Sequence, residues 1–129
     1  RDWVHYGAIT EGEVAFRDCQ HGKYRQVESA LDQGHVTVGT QHYHKKNTLL
    51  HVAAVNGHLR LVKLCLRRNA PMNLQNEEGN TAAHLAFLFN YKEVAEYLVS
   101  KGAKTNIPNN QGQTCEQMLE TDVPELERS

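Results

Sequence analysis

The sequence predicts an all-α solenoid, a stack of short helix pairs joined by turn-forming fingers. Three observations predict it. Two blocks of 33 residues, beginning at Asn47 and Asn80, carry matching residue types at matching offsets. Within each block, apolar residues recur at helical spacing. Between those runs, Asn, Gly and Pro fall at the same places. The blocks are NTLLHVAAVNGHLRLVKLCLRRNAPMNLQNEEG and NTAAHLAFLFNYKEVAEYLVSKGAKTNIPNNQG, pairing Thr48 with Thr81, His51 with His84 and Asn73 with Asn106.

Taken in order, the chain opens with an N-terminal extension, 1–10, and Thr10 with Glu13 forms a capping box for a first helix. A weakened unit follows over about 14–46: Gly22 stands for Gly57, Val27 for Val62, Leu31 for Leu66 and Gly34 for Asn69. The spacing from Gly22 to Thr48 is two residues longer than from Gly57 to Thr81, and a longer finger around HVTVGTQHYHKK absorbs the difference. In the unit 47–79, Thr48 caps a short apolar helix. Asn56-Gly57 ends that helix with residues that tolerate left-handed geometry. A second helix then turns Leu61, Val62, Cys65 and Leu66 inward and Arg60, Lys63 and Arg67 outward. Asn69-Ala70-Pro71 breaks it, and NEEG turns into the unit 80–112. A partial unit, about 113–122, repeats the opening and stops, leaving a tail, 120–129. No single helix pair can bury its own stripe, so stacking completes the core.

The run TLLHVAAVNGHLRLVKLCLRRNAPMN resembles the ankyrin repeat family, whose pattern is Thr-Pro-Leu-His-x-Ala-Ala, Gly-His, an apolar helix and a Gly-Ala-x-x-Asn turn. The resemblance covers residues 11–119 and implies an ankyrin-repeat solenoid of about three to four units with degenerate ends. Departures are visible. Leu49, Ala82 and Cys115 stand where the family has Pro, Lys46 replaces a turn Gly, and Asn90 replaces the inter-helix Gly, a mild change because Asn tolerates that backbone.

Composition narrows the function. At 129 residues the chain is long enough for one substantial core, and a start at Arg1 rather than Met suggests a piece of something longer. Mean hydropathy is −0.62 with no long apolar run, so no membrane insertion is expected. Cys19, Cys65 and Cys115 are odd in number and far apart, which fits reduced thiols; the expected location is the cytoplasm, with nuclear or cytoskeleton-associated placement as the alternative. The net charge of −1 masks a basic middle and an acidic C-terminal end.

Eight histidines invite a metal reading, above all His42 and His44 in HYH, but the cysteines offer no CxxC spacing to join them. Neither a metal nor a cofactor is expected. The resemblance makes His51 and His84 bridges within and between repeats, and leaves His42 and His44 facing solvent or a partner. The cysteines fall at buried or near-buried helix positions, as inert thiols. No phosphate loop, paired catalytic carboxylates or nucleophile elbow is present, so an enzyme is not expected. The basic stripe Arg60, Lys63, Arg67 and Arg68 is interrupted by mixed charges on the next outer helix (Lys92, Glu93, Glu96, Lys101). That argues for a solvated face, with an acidic protein as the alternative, and against nucleic acid.

The resemblance also implies a concave recognition surface of finger tips and first-helix edges. Its variable positions map to Lys45, Asn47, Val55, Asn56, Arg68 and Gln75, then Glu77, Glu78, Asn80, Leu88, Phe89 and Lys101, then Asn110, Gln111 and Gln113. Leu88 and Phe89 are large and apolar where polar residues are common, which marks a protein-binding site unless the chain's own terminal segments, WVHY or TDVPELERS, cover them. Leu85 is expected on the buried side, and Phe87, matching the small Ala54, against the last unit near Met118. The function implied is a noncatalytic protein–protein interaction module, a scaffold or targeting domain. The alternative is a regulatory domain acting on an attached catalytic or channel domain.

Overall fold

The computed structural model describes residues 10–117. The N-terminal WVHY, Met118, Leu119 and the acidic tail lie outside the described residues. Among the described residues six helices form three pairs: α1 (Glu11–Gln20) with α2 (Tyr24–Asp32), α3 (Leu49–Val55) with α4 (Leu59–Arg67), and α5 (Ala82–Leu88) with α6 (Lys92–Ser100). Residues 115–117 are helical again, and no strand occurs among the described residues. Helices α1, α3 and α5 pack successively into an inner layer, and α2, α4 and α6 into an outer one.

The helices start where the sequence places polar caps. Thr10 Oγ1 accepts from the Glu13 backbone N–H at 3.1 Å, which satisfies one orphan donor of α1. The expected return arm of the capping box is replaced: Glu13 turns its carboxylate toward the first finger, 3.9 Å from His42 Nε2. In α3 and α5 the box closes fully, with a histidine at the third helical position.

One continuous core runs from Ala15 and Phe16 through Leu49, Leu50, Leu61 and Val62 to Leu98 and Cys115. Small residues (Ala53, Ala54, Ala83, Ala86) let the inner helices approach closely. The stripe of α4 differs from expectation. Leu64 is buried along with Leu61, Val62 and Cys65, whereas Leu66 is only half-buried. Helix α4 touches α3 on one side and α2 and α6 on its flanks, so it buries a broader arc than a single stripe. Leu85 is buried, at 6% exposure, yet stands outside the contiguous core.

Buried histidines tie one unit to the next. The Thr48 backbone N–H donates to His51 Nδ1 at 3.1 Å, and an N–H can only donate, so Nδ1 is the acceptor nitrogen. The proton therefore sits on Nε2, which donates to the Asn80 carbonyl of the following unit at 2.9 Å. His84 repeats the arrangement, accepting from the Thr81 N–H at 3.0 Å and donating to the Gln113 carbonyl at 3.0 Å. Burial holds both imidazoles below their ordinary pKa, outweighing the backbone hydrogen bonds that act the other way.

The fingers are bonded to each other as well. The Glu77 N–H donates to the Lys45 carbonyl at 2.7 Å, and the Asn110 N–H to the Glu78 carbonyl at 3.0 Å. Gln41 Nε2 bridges Lys46 O and Gln75 O, and Gln75 Nε2 bridges Gly79 O and Pro108 O. These matched bonds locate the two additional residues of the first finger. One lies between His35 and Gln41 and the other between Gln41 and Lys46, relative to Ala70, Gln75 and Gly79. Lys45 and Lys46 take up the second by adopting left-handed φ of 61° and 58°, at about 1 kcal/mol each.

The inter-helix turns are equally regular. Gly57 has φ +72°, and a Cβ there would come within 2.5 Å of the Tyr91 ring of the next unit. Asn90, in the corresponding turn, takes φ 64° with a side chain, as expected of Asn.

Two outcomes follow from this packing. Gly57→Ala is expected to destabilise the domain by about 2–4 kcal/mol in urea unfolding, from left-handed strain plus overpacking on Tyr91. In a Tyr91→Ala background the same change should cost about 1–2 kcal/mol; equal losses in both backgrounds would show that the ring is not the obstacle. The second concerns pH. His51 and His84 have folded pKa values below the ordinary 6.5, so the unfolded chain binds protons more readily. Their contribution is complete above pH 6.5 and is lost as pH falls below it. Unfolding midpoints should drop between about pH 7.5 and pH 5. His51→Gln should lower stability at neutral pH while flattening that slope, and an unchanged slope would place the proton uptake elsewhere.

Candidate functional site

The candidate surface lies where the fingers meet the inner helices. Asn76 and Asn109 shape the second and third finger tips from within. Asn76 Oδ1 accepts from the Glu78 and Asn80 N–H groups at 3.0 Å, and Asn109 Oδ1 accepts from Gln111 and Gln113 at 2.9 Å. Their amide nitrogens reach back one unit, to Asn47 Oδ1 at 2.8 Å and Asn80 Oδ1 at 3.0 Å. The exposed positions beside them are therefore held by backbone that does not need a ligand to order it.

Most of the sequence-selected residues fall into two grooves. The larger gathering lines a groove of about 390 Å³: Glu77, Glu78, Asn80, Leu88, Asn110, Gln111 and Gln113, with Asn109 beneath. A second groove, about 430 Å³, brings Asn47, Val55 and Asn56 together with Phe16, Gln20 and His42. Lys45 and Gln75 are exposed on the fingers, where Gln75 is also the brace between the second and third fingers. Leu88 and Phe89 are 47% and 52% exposed; Leu88 borders the finger groove, and Phe89 ends α5 as its C-cap.

Three placements correct the sequence reading. Asn80 is only 6% exposed; its carbonyl and side-chain oxygen are taken by His51 and Asn109, so it belongs to the frame. Arg68 and Lys101 cap the outer helices α4 and α6, away from the concave side. Arg68 pairs with Asp32 at the end of α2 at 2.9 Å, and Lys101 lies over the Tyr97 ring. Positions just past a second helix end in the outer layer, whatever their variability in the repeat. His42, expected to face outward, is half-buried: its ring meets Phe16 edge-on at 5.0 Å and stacks with Tyr43 at 4.7 Å. His44 is exposed.

The basic stripe is likewise more than a solvated face. Arg60 lies 4.4 Å over the Tyr24 ring, whose hydroxyl accepts from Arg67 Nη2 at 2.7 Å; Lys63 lies 5.2 Å over Tyr97. Tyr24 and Tyr97 were missed as organising residues. They sit at helical positions like any half-buried aromatic, and only the neighbouring helix reveals their cations. Asn109 was missed too, although Asn76 stands one repeat earlier.

The reactive side chains are quiet. All three cysteines are buried and free. Burial pushes the Cys19 thiol far up, Cys65 to about 12 and Cys115 to about 11, so none is a thiolate at neutral pH. Among the described residues, no cluster of three or more His, Cys, Asp or Glu could hold a metal, and no helix is long and apolar enough to cross a membrane.

Helix pairs in two layers, bridged fingers and a capping histidine repeated at 33-residue intervals define an α-solenoid repeat protein. A family model for ankyrin repeats, in three copies, matches residues 16–109, and the chain belongs to the ankyrin repeat family. No curated protein matches the chain. Ankyrin repeats are generally protein–protein interaction modules.

Core and surface separate cleanly by substitution. Phe89→Asp and Leu88→Asp should each leave the unfolding free energy measured in urea within about 0.5 kcal/mol of the parent. Leu98→Asp, at a fully buried position, should abolish cooperative unfolding. A large loss with Phe89→Asp would place that ring in the core.

Proposed function

We propose that the protein is a noncatalytic protein-recognition module, a scaffold or targeting unit spanning about residues 11–119 of a larger protein or assembly. A partner segment lies along the second and third finger tips, with Leu88 and Phe89 as its apolar anchors. The observation that carries this reading is their exposure. Val55 and Asn56, at the matching places one unit earlier, are both half-buried, whereas Leu88 and Phe89 stand open beside a groove of fixed polar groups. Exposed apolar bulk of this kind is typical of interface anchors, and preformed backbone lowers the entropic cost of docking. The buried, free thiols are compatible with a reducing compartment, and we place the protein in the cytoplasm.

Site-specific photo-crosslinking tests the reading. A benzophenone amino acid placed at position 88 of the full-length protein in cells should give a dominant adduct with a second protein. The same group at position 26, on the exposed side of α2, should not, and Phe89→Asp should remove the adduct. Equal adducts from both positions, or an adduct indifferent to Phe89→Asp, would overturn the assignment. An adduct confined to the same chain would favour an intramolecular regulator over a module for partners.

A further inference from the structure

A third groove, on the outer layer of the solenoid, has no part in that recognition. It lies between the C-terminal ends of α4 and α6, with a volume of about 390 Å³. Leu66, Ala70, Met72 and Tyr97 supply its apolar lining, and Arg67, Asn69 and Lys101 its polar side. Lys63 approaches from α4, with its ammonium 5.2 Å from the Tyr97 ring centre; Lys101 approaches the same ring from α6, at 5.5 Å. Cations over an aromatic face are held by its quadrupole and stop short of full solvation.

Two lysines thus flank the Tyr97 ring at this groove, and Arg67 borders it while donating its Nη2 to the Tyr24 hydroxyl on α2. Among the described residues, none of Lys63, Arg67 and Lys101 has a carboxylate within 4.0 Å. Arg68 shows the contrast, because Asp32 neutralises it at 2.9 Å. Repulsion among like charges is sustained in the free protein, and a negative ligand would relieve it. Asp32 on α2 and Glu93 and Glu96 on α6 bound the cluster on either side in sequence and layer.

We infer that the outer groove between α4 and α6 binds a short acidic segment of a second protein, seating one apolar side chain against Met72 and Tyr97 while its carboxylates meet Lys63, Arg67 and Lys101. The inference is independent of the finger groove. Rim charges of this type govern association rate and salt dependence, and the apolar floor supplies specificity for the segment's central residue.

Fluorescence anisotropy with a labelled nonapeptide, Glu-Glu-Asp-Glu-Leu-Glu-Asp-Glu-Glu, tests it on the full chain. The probe should bind saturably, and affinity should fall several-fold between about 50 and 300 mM NaCl. Lys101→Glu should weaken it by at least about tenfold. Lys92→Glu, the same charge change at the other end of α6, should weaken it less than about threefold. Replacing the central Leu with Ser, or the carboxylates with amides, should each reduce binding. Melting curves confirm that the variants remain folded. The inference is overturned if the probe does not bind, if the amide peptide binds equally, or if Lys92→Glu and Lys101→Glu act alike. Tighter binding of an oligothymidylate would overturn it in favour of general polyanion affinity.

Discussion

The neutral imidazoles of His51 and His84 are the interaction on which the rest of the molecule depends. Each ring accepts the N–H of its helix-capping threonine and donates to a carbonyl in the next unit. A single buried group therefore starts an inner helix and sets the height of the following finger. Neither nitrogen can be spared, because the N–H partner leaves no room for a second proton and the carbonyl requires one. A hydrocarbon of the same volume would fill the space but leave buried N–H and C=O groups unpaired, which is the more expensive error. The finger backbone bonds, the asparagine braces and the glycine-to-ring contacts all presuppose the unit-to-unit distance that these rings fix.

That arrangement explains what could be read before any coordinates. A period of 33 residues with helical apolar spacing made the solenoid and its buried cysteines legible, and the resemblance to the ankyrin repeat pattern, with Thr and His three apart, supplied the roles of His51 and His84. The left-handed turn at Asn90 was legible for a similar reason, since it is a local property of residue type. What escaped depends on contacts between elements. Leu64 is buried because α4 has neighbours on three sides, and nothing in its own helix says so. His42 is covered by Phe16, a pairing of a finger with an inner helix from much earlier in the chain.

The candidate surface was only partly legible. Mapping variable repeat positions onto one face treats the unit as flat, yet a helix pair has two layers. Glu77, Leu88, Asn110 and Gln111 belong to the finger side and converge, whereas Arg68 and Lys101 follow the outer helices and do not. Asn80 sits at a variable-looking position but is consumed by the frame. Position in the repeat identifies which layer boundary a residue is near; only packing decides which side it faces.

The run AFLFN shows how one helix end divides its apolar residues. Ala86 is fully buried, as the inner layer demands. Phe87 occupies the place of Ala54, where a following inner helix would normally exclude a ring, and it is half-buried against the core. Its bulk therefore belongs to the end of the stack, where the packing that restricts position 54 no longer applies in the same way. Leu88 and Phe89 have no such structural use: the helix is capped by backbone at Phe89, and the next turn is made by Asn90. Apolar area that neither packs nor caps is retained at a cost in solubility. Under the proposed function a partner's burial of that area would offset the cost, and the groove of fixed polar groups beside Leu88 would orient it.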